Sequence, residues 1–185
     1  MIVRPVRHAV LGLVLLAAAA GSVFAAPGPD GLFGAVLAAL MLAIAVIDSE
    51  RFIIPNELTG AALVLALLRA GIVGPEAGWH GVIWAALRAI AVSLPLLLLM
   101  TGYKRWRGRD GLGLGDIKLA AVAGAWLGFV TIFAVIELAA LSALAAYAVN
   151  AYLRKRPLRA TTFLPFGAFL APAIWIGWLA EALLS

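Results

Sequence analysis

Residues 117–152 read IKLAAVAGAWLGFVTIFAVIELAALSALAAYAVNAY, an almost wholly apolar run that decides how the chain folds. A helix needs about 20 residues to cross the hydrocarbon core of a bilayer, so this run is too long for one span. It predicts two helices joined by a turn near residues 129–137. Further apolar runs cover residues 8–26, 32–47, 58–73, 81–102 and 162–183. We therefore expect an all-α fold, a polytopic membrane bundle of about seven transmembrane helices.

The composition also points to the lipid bilayer as the main surroundings of the chain. Of the 185 residues, 65% are hydrophobic and 12% are charged, whereas soluble domains average about 45–50% and about 25%. A globule of this size cannot bury so much apolar surface. This excludes a soluble enzyme, a nucleotide-binding α/β domain and a disordered regulator. The net charge of +5 does not indicate a nucleic-acid partner, because the basic residues form short clusters between the apolar runs, where lipid and topology explain them.

The positions of the basic clusters predict the orientation in the membrane, since cytoplasmic loops are enriched in Lys and Arg. Seven spans with the N-terminus inside put every cluster on the cytoplasmic side. These clusters lie at residues 4–7, 51, 104–109 and 154–159. Two arginines do not fit, because Arg69 and Arg88 fall within spans three and four, where charge usually faces the bundle interior or reaches an interface. We expect a multi-pass protein of the inner (plasma) membrane.

A single transmembrane domain, residues 1–185, is the expected organisation, because the chain has no repeat and no long soluble insertion. Residues 1–30 hold the first helix. Arg4 and Arg7 before an Ala/Leu-rich stretch are also typical of a cleaved signal peptide, and cleavage would leave six spans with the same sidedness. A retained helix is favoured, since the apolar stretch is longer than the about 7–15 residues of a signal peptide's apolar core.

Two aspartates lie where chemistry could occur. Asp48 ends the second apolar run and Asp116 opens the fifth, so the predicted topology brings both to the cytoplasmic edge of the membrane. Two carboxylates that meet in a partly desolvated site can share one proton, and the pair can then activate water and polarise a carbonyl. Structural roles are the alternative, with Asp116 as an N-cap and Asp48 as the residue that stops a span.

The residues before Asp116 are rich in glycine. Gly113 and Gly115 permit unusual backbone conformations and close approach of another chain, which suits a site that holds an extended peptide. The string is neither a dinucleotide fingerprint, whose third glycine position is taken by Asp116, nor a P-loop. With no cysteine and only His8 and His80 as histidines, neither a metal site nor a cofactor is expected.

Three elements together resemble one family. They are Gly113-x-Gly115-Asp116-x-Lys118, Asp48 seven residues before Pro55, and the late string Leu164-Pro165-Phe166-Gly167. In this order they look like the GxGD-type aspartic proteases, specifically the type IV prepilin leader peptidases. The resemblance runs from about the second span to the last.

The resemblance implies a membrane-embedded aspartic endopeptidase that removes the basic leader of prepilins or pseudopilins at the cytoplasmic face. It implies that Asp48 and Asp116 are the catalytic pair. Gly113, Gly115, Lys118, Pro55, Pro165 and Gly167 are then motif or substrate-binding residues. Lys118, two residues past Asp116 and so expected on another helix face, has a tuning or lipid-anchoring role.

One departure from the family concerns its second activity. The larger members carry a cysteine-rich, zinc-binding segment linked to N-methylation, and this chain has no cysteine. We therefore expect the short, peptidase-only form without a soluble methyltransferase domain. Two other functions stay open: a small proton-coupled transporter with Asp48, Asp116 and Arg88 as a relay, or a non-catalytic scaffold of a secretion or pilus apparatus.

Overall fold

The computed structural model describes residues 3–74, 76–108, 113–155 and 164–184, and within them the chain is helical with no strand. The seven helices of this described part are α1 (Val3–Ala25), α2 (Pro29–Arg51), α3 (Asn56–Ile72), α4 (Trp79–Arg107), α5 (Leu114–Trp126), α6 (Phe129–Leu153) and α7 (Gly167–Leu184). Each apolar run of the sequence corresponds to a helix, and the longest run corresponds to two. The predicted all-α bundle is confirmed.

The helices differ in their capacity to cross a membrane. Within the described residues α1, α2, α4, α6 and α7 are long and apolar enough to do so. Helix α3 has 17 residues and α5 has 13, which gives lengths of about 25 Å and about 20 Å against a hydrocarbon core of about 30 Å. Two of the seven predicted spans are therefore shorter than a full crossing.

The turn inside the long apolar run lies earlier than predicted. The sequence predicts it near residues 129–137, but α5 ends at Trp126 and α6 begins at Phe129, with Leu127 and Gly128 in extended conformations between them. The break is stable here because neighbours satisfy the helix ends. The Gly128 N–H donates to Glu181 Oε1 at 2.8 Å, and arginines reach the last carbonyls of α5. These partners come from other helices, so the local sequence does not reveal them.

Helix α5 lies in the middle of the bundle, in contact with α3, α4, α6 and α7. Nearly every residue from Ile117 to Trp126 is buried. Gly124 lets the backbone of α4 approach closely, because a Cβ there would lie 2.7 Å from Arg88 O and 2.9 Å from Ala89 Cα. A helix enclosed in this way holds its first turn, and thus Asp116, in a fixed place relative to its neighbours.

The two arginines within the predicted spans both face α5. Arg69 pairs with Asp30 at 2.5 Å, donates to Trp126 O at 3.4 Å and stacks over the Trp126 ring at 5.3 Å from its centroid. Arg88 Nε donates to Gly124 O at 3.3 Å. Guanidinium groups at the C-terminal carbonyls match the negative end of the helix dipole. Both arginines thus face the bundle interior, as charged residues within a membrane generally do.

Candidate active site

One end of the bundle contains a cleft of about 740 Å³. It lies where α2 ends and where α3, α5 and α7 begin. The described residues that line it are Asp48, Phe52, Ile53, Ile54, Asn56, Gly113, Leu114, Gly115, Asp116, Lys118, Leu164, Pro165 and Phe166. Parts of the chain that are far apart in sequence therefore meet at one site, and both aspartates belong to it.

Asp48 lies one turn before the end of α2, and only 5% of its surface is exposed. Its Oδ2 accepts a hydrogen bond from the backbone N–H of Ala168, in the first turn of α7, at 2.8 Å. Beyond Asp48 the helix continues to Arg51 and ends at Phe52, which has a left-handed conformation with φ of 56°. Asp48 is therefore not the residue that stops the helix, and its carboxylate is oriented by another segment of the chain.

Ile54 fills the space between the start of α5 and the start of α7. A Cβ at Gly115 would lie 2.9 Å from Ile54 Cβ, and one at Gly167 would lie 2.5 Å from Ile54 Cδ1 and 3.0 Å from Asp48 Oδ2. These glycines are needed for close approach. Gly113 has φ of −74° and ψ of 137°, a conformation open to any residue, so the predicted unusual backbone conformation is wrong for this glycine. A Cβ there would still lie 3.0 Å from Asp116 Oδ2.

Asp116 is half-buried in the first turn of α5, outside the five candidate spans. Gly113 is the N-cap of that helix and Asp116 is its third residue, so the N-cap interpretation of Asp116 is wrong. Burial and then the negative charge of Asp48 raise the pKa of Asp116 to about 6, against a hydrogen bond from the Gly113 backbone that lowers it. A carboxyl of this kind can keep a proton near neutral pH while its neighbour is ionised.

Lys118 also reaches the cleft, although its place in the helix predicts a different face from Asp116. Its Nζ donates to the side-chain oxygen of Asn56 at 2.6 Å, which the long, flexible lysine side chain makes feasible. This bond links the start of α5 to the start of α3, and it lies on the exposed side of the site.

Comparisons with known proteins identify the family of the chain. Residues 35–149 match the model of the type IV leader peptidase family, a range that includes both aspartates. The chain belongs to the type IV leader peptidase family. A prepilin leader peptidase/N-methyltransferase of Burkholderia pseudomallei is 38% identical over 170 residues, covering 89% of this chain and 52% of that protein. No solved structure matches the chain significantly.

Two further relatives are also named prepilin leader peptidase/N-methyltransferase. The protein of Aeromonas hydrophila is 32% identical over 90% of this chain and 56% of its own length. That of Pectobacterium carotovorum is 35% identical over 86% of this chain and 55% of its own length. The chain thus spans about half the length of the curated relatives that it matches. With five apolar helices and this family membership, it is a multi-pass membrane protein.

Most of the residues singled out from the family resemblance meet in the cleft. Gly113, Gly115, Lys118 and Pro165 line it with the two aspartates. Pro55 is the N-cap of α3, and Gly167 packs behind the site against Asp48 and Ile54. Neither of these two is among the described lining residues.

Sequence reasoning missed several neighbours of the aspartates, above all Ile54 and Asn56. A signal for Ile54 existed, because a residue before proline avoids the helical conformation and so marks a non-helical segment directly after Asp48. No local signal identified Asn56 as the partner of Lys118, since the two lie 62 positions apart. Arg88, named as a third member of a transporter relay, is not among the described residues that line the cleft.

Proposed function

We propose that the chain is a membrane-embedded aspartic endopeptidase that cleaves the leader of prepilins or pseudopilin-like proteins. The observation that carries the proposal is that Asp48 and Asp116, from two different helices, line one cleft. Membership of the type IV leader peptidase family supports the same activity, as do relatives named prepilin leader peptidases.

The two carboxylates act as one unit on the peptide bond. One carboxylate accepts a proton from a water molecule as that water attacks the scissile carbonyl carbon, and the protonated partner donates its proton to the carbonyl oxygen. When the tetrahedral intermediate breaks down, the carbon–nitrogen bond is cleaved and the amine leaves with a proton. The raised pKa of Asp116 suits it to the proton-donating role, with Asp48 accepting the proton from water.

The surrounding residues have positioning roles in this proposal. The Ala168 N–H orients Asp48, Gly115 and Gly167 allow Ile54 to pack beside the aspartates, and Lys118 ties α5 to α3 through Asn56. Pro55 and Pro165 shape the non-helical segments before α3 and α7.

The whole chain, residues 1–185, is one transmembrane peptidase domain in this proposal. That it is the peptidase-only form stays a prediction.

The substrate enters from the cytoplasmic side of the inner membrane. The cleft lies at the end of the bundle that carries Arg51, in the last turn of α2, and three basic residues in the last turn of α4. An excess of basic residues is typical of cytoplasmic segments. In a prepilin, the leader peptide comes directly before a hydrophobic helix. When that helix lies in the bilayer, the leader is at the membrane surface and can reach this end of the bundle.

The test is cleavage of a coexpressed prepilin, read as a gel shift, by the protein and by Asp48→Asn, Asp116→Asn and the double variant. Residues that act as a unit are non-additive, so the three variants should be about equally inactive, each by at least about 1,000-fold. Glu50→Gln is the control, because Glu50 is an exposed carboxylate paired with Arg7 and should leave cleavage intact. Robust cleavage by either single variant at normal expression would refute the proposal and favour the scaffold or transporter hypothesis.

A further inference from the structure

Residues Ile53 and Ile54 form a short non-helical segment between α2 and α3, and both line the cleft. They are in neither helix, turn nor bend, and their φ angles are not positive. Pro55, which follows, has φ of −65° and ψ of 133°. Because a residue before proline also avoids the helical conformation, these features indicate an extended chain in the cleft that both aspartates line.

The main-chain groups of this segment are unpaired within the described part of the chain. The preceding Phe52 N–H donates to Asp48 O at 2.9 Å, and the following Pro55 carbonyl accepts from the Thr59 N–H at 3.2 Å. Neither the N–H nor the carbonyl of Ile53 or Ile54 has such a partner among the described residues. Backbone groups that face a partly apolar cleft without partners are costly, and they are suited to bind another chain.

The side chains of the segment alternate as they do in a strand. The Ile53 side chain is directed outwards, with 61% of the residue exposed, whereas Ile54 packs inwards against Gly115 and Gly167. Packing of Ile54 keeps the segment in place, so its main chain is a rigid edge. Rigid edges lose little conformational entropy when they bind a peptide.

We infer that residues 53–54 bind the substrate peptide as an added strand, with main-chain hydrogen bonds that hold the scissile segment in extended form beside Asp48 and Asp116. The inference rests on the proposed function and adds the mode of substrate binding. A helical peptide has its own N–H groups occupied, so a substrate must unwind at the cleavage site and gain replacement hydrogen bonds. Ile53 and Ile54 provide them at the point where the bond is cut.

Leu164 and Pro165, in another non-helical segment among the described lining residues, form a poorer edge. Pro165 has no N–H to donate, and its carbonyl already accepts a hydrogen bond from the Ala168 N–H at 3.2 Å. Leu164 and Pro165 therefore offer fewer free main-chain groups than Ile53 and Ile54. The two segments line the same cleft, which makes Leu164 a matched control position.

Disulfide cross-linking tests the inference, and the absence of cysteine from the chain makes each introduced thiol unique. Ile53→Cys and Leu164→Cys are each made in the inactive Asp116→Asn background and mixed with prepilin peptides that carry one cysteine at successive positions around the cleavage site. Strand pairing predicts that the yield of cross-links from Ile53→Cys alternates along the peptide. It should be at least about fivefold higher at every second position than at the positions between, because cross-strand neighbours recur with a period of two. Leu164→Cys should lack this alternation.

Three results would overturn the inference. Ile53→Cys could cross-link to peptide positions three or four apart, or it could form no cross-link at all. The alternation could also occur only with Leu164→Cys. A second measurement uses the unmodified protein with peptides N-methylated at one position each. Methylation removes one N–H donor, and only every second residue of a paired strand directs its N–H towards the neighbouring strand. Methylation at one or two alternate positions should therefore raise KM about tenfold or more, whereas methylation of the residue between them should leave KM unchanged. Uniform tolerance or uniform loss would contradict strand pairing, while cleavage dependent on both aspartates would still support the proposed function.

Discussion

The Asp48 carboxylate accepts a hydrogen bond from the backbone N–H of Ala168, a residue 120 positions further along the chain, at 2.8 Å. This bond joins the last turn of α2 to the first turn of α7. The orientation of Asp48 therefore depends on how α7 packs against α2. Residues around the bond should affect catalysis even if they never contact the substrate, and this leads to the first prediction.

Gly167→Ala should reduce the rate of cleavage by about tenfold or more. Overpacking of this kind costs about 1–3 kcal/mol in the free energy of the folded site. The added Cβ would lie 3.0 Å from Asp48 Oδ2 and 2.5 Å from Ile54 Cδ1, so the carboxylate or the isoleucine must move. Gly60→Ala is the matched control, because a Cβ at Gly60 meets nothing within 4 Å. It should keep full activity. Equal cleavage rates for the two variants would show that Asp48 tolerates displacement.

The pH dependence of cleavage should follow the pKa of Asp116, which burial and the charge of Asp48 raise to about 6. Asp116 holds its proton below this pH and loses it above. If the pair needs one shared proton, kcat/KM falls as the pH rises through an apparent pKa near that value, which belongs to the coupled pair. Initial rates from about pH 5 to about pH 8 test this. A rate that rises through the same range would show that ionised Asp116 is the active form.

Arg69→Gln should destabilise the protein more than Glu50→Gln. The side chains of Arg69 and Asp30 are 23% and 21% exposed, whereas those of the Arg7 and Glu50 pair are 48% and 43% exposed. Removing one member of a largely buried pair leaves the other charge uncompensated. The loss in unfolding free energy is about 1–3 kcal/mol after allowance for the remaining exposure, whereas a surface pair contributes about 0–1 kcal/mol.

Thermal unfolding in detergent measures this difference. The double variant Asp30→Asn with Arg69→Gln should unfold at a higher temperature than Arg69→Gln alone, since no lone carboxylate remains. Equal midpoints for Arg69→Gln and Glu50→Gln would mean that the Asp30–Arg69 pair contributes no more than a surface pair.

Single cysteines test the proposed orientation in the membrane. Arg107→Cys, at the end of α4, should be protected from an impermeant thiol reagent added to the periplasmic side. Glu76→Cys, in the connection before α4, should react. Both positions are exposed, so accessibility differs only by the side of the membrane. The reverse labelling pattern would put the cleft on the periplasmic side.

Much of the architecture was predictable from the sequence, because membrane helices are encoded by the length and apolarity of continuous runs. Six runs gave the seven helices of the described part, and two membrane-edge aspartates with their glycines and prolines gave a family resemblance that the comparisons confirmed. The apolar pattern predicts the break after Trp126 too late in the chain, because the position of the break depends on contacts from α3, α4 and α7.

The residues Gly113, Gly115, Asp116 and Lys118 could be singled out from the sequence because together they resemble one family's motif, and they lie within one turn or two of each other. The support that each receives from distant segments could not. Ala168 beside Asp48 and Asn56 beside Lys118 are pairings across 120 and 62 positions. No pattern within a short window contains such pairings, because they arise only when helices pack. The chain's own sequence thus determined which side chains are candidates for the chemistry, and tertiary packing decided how they are oriented and which neighbours hold them.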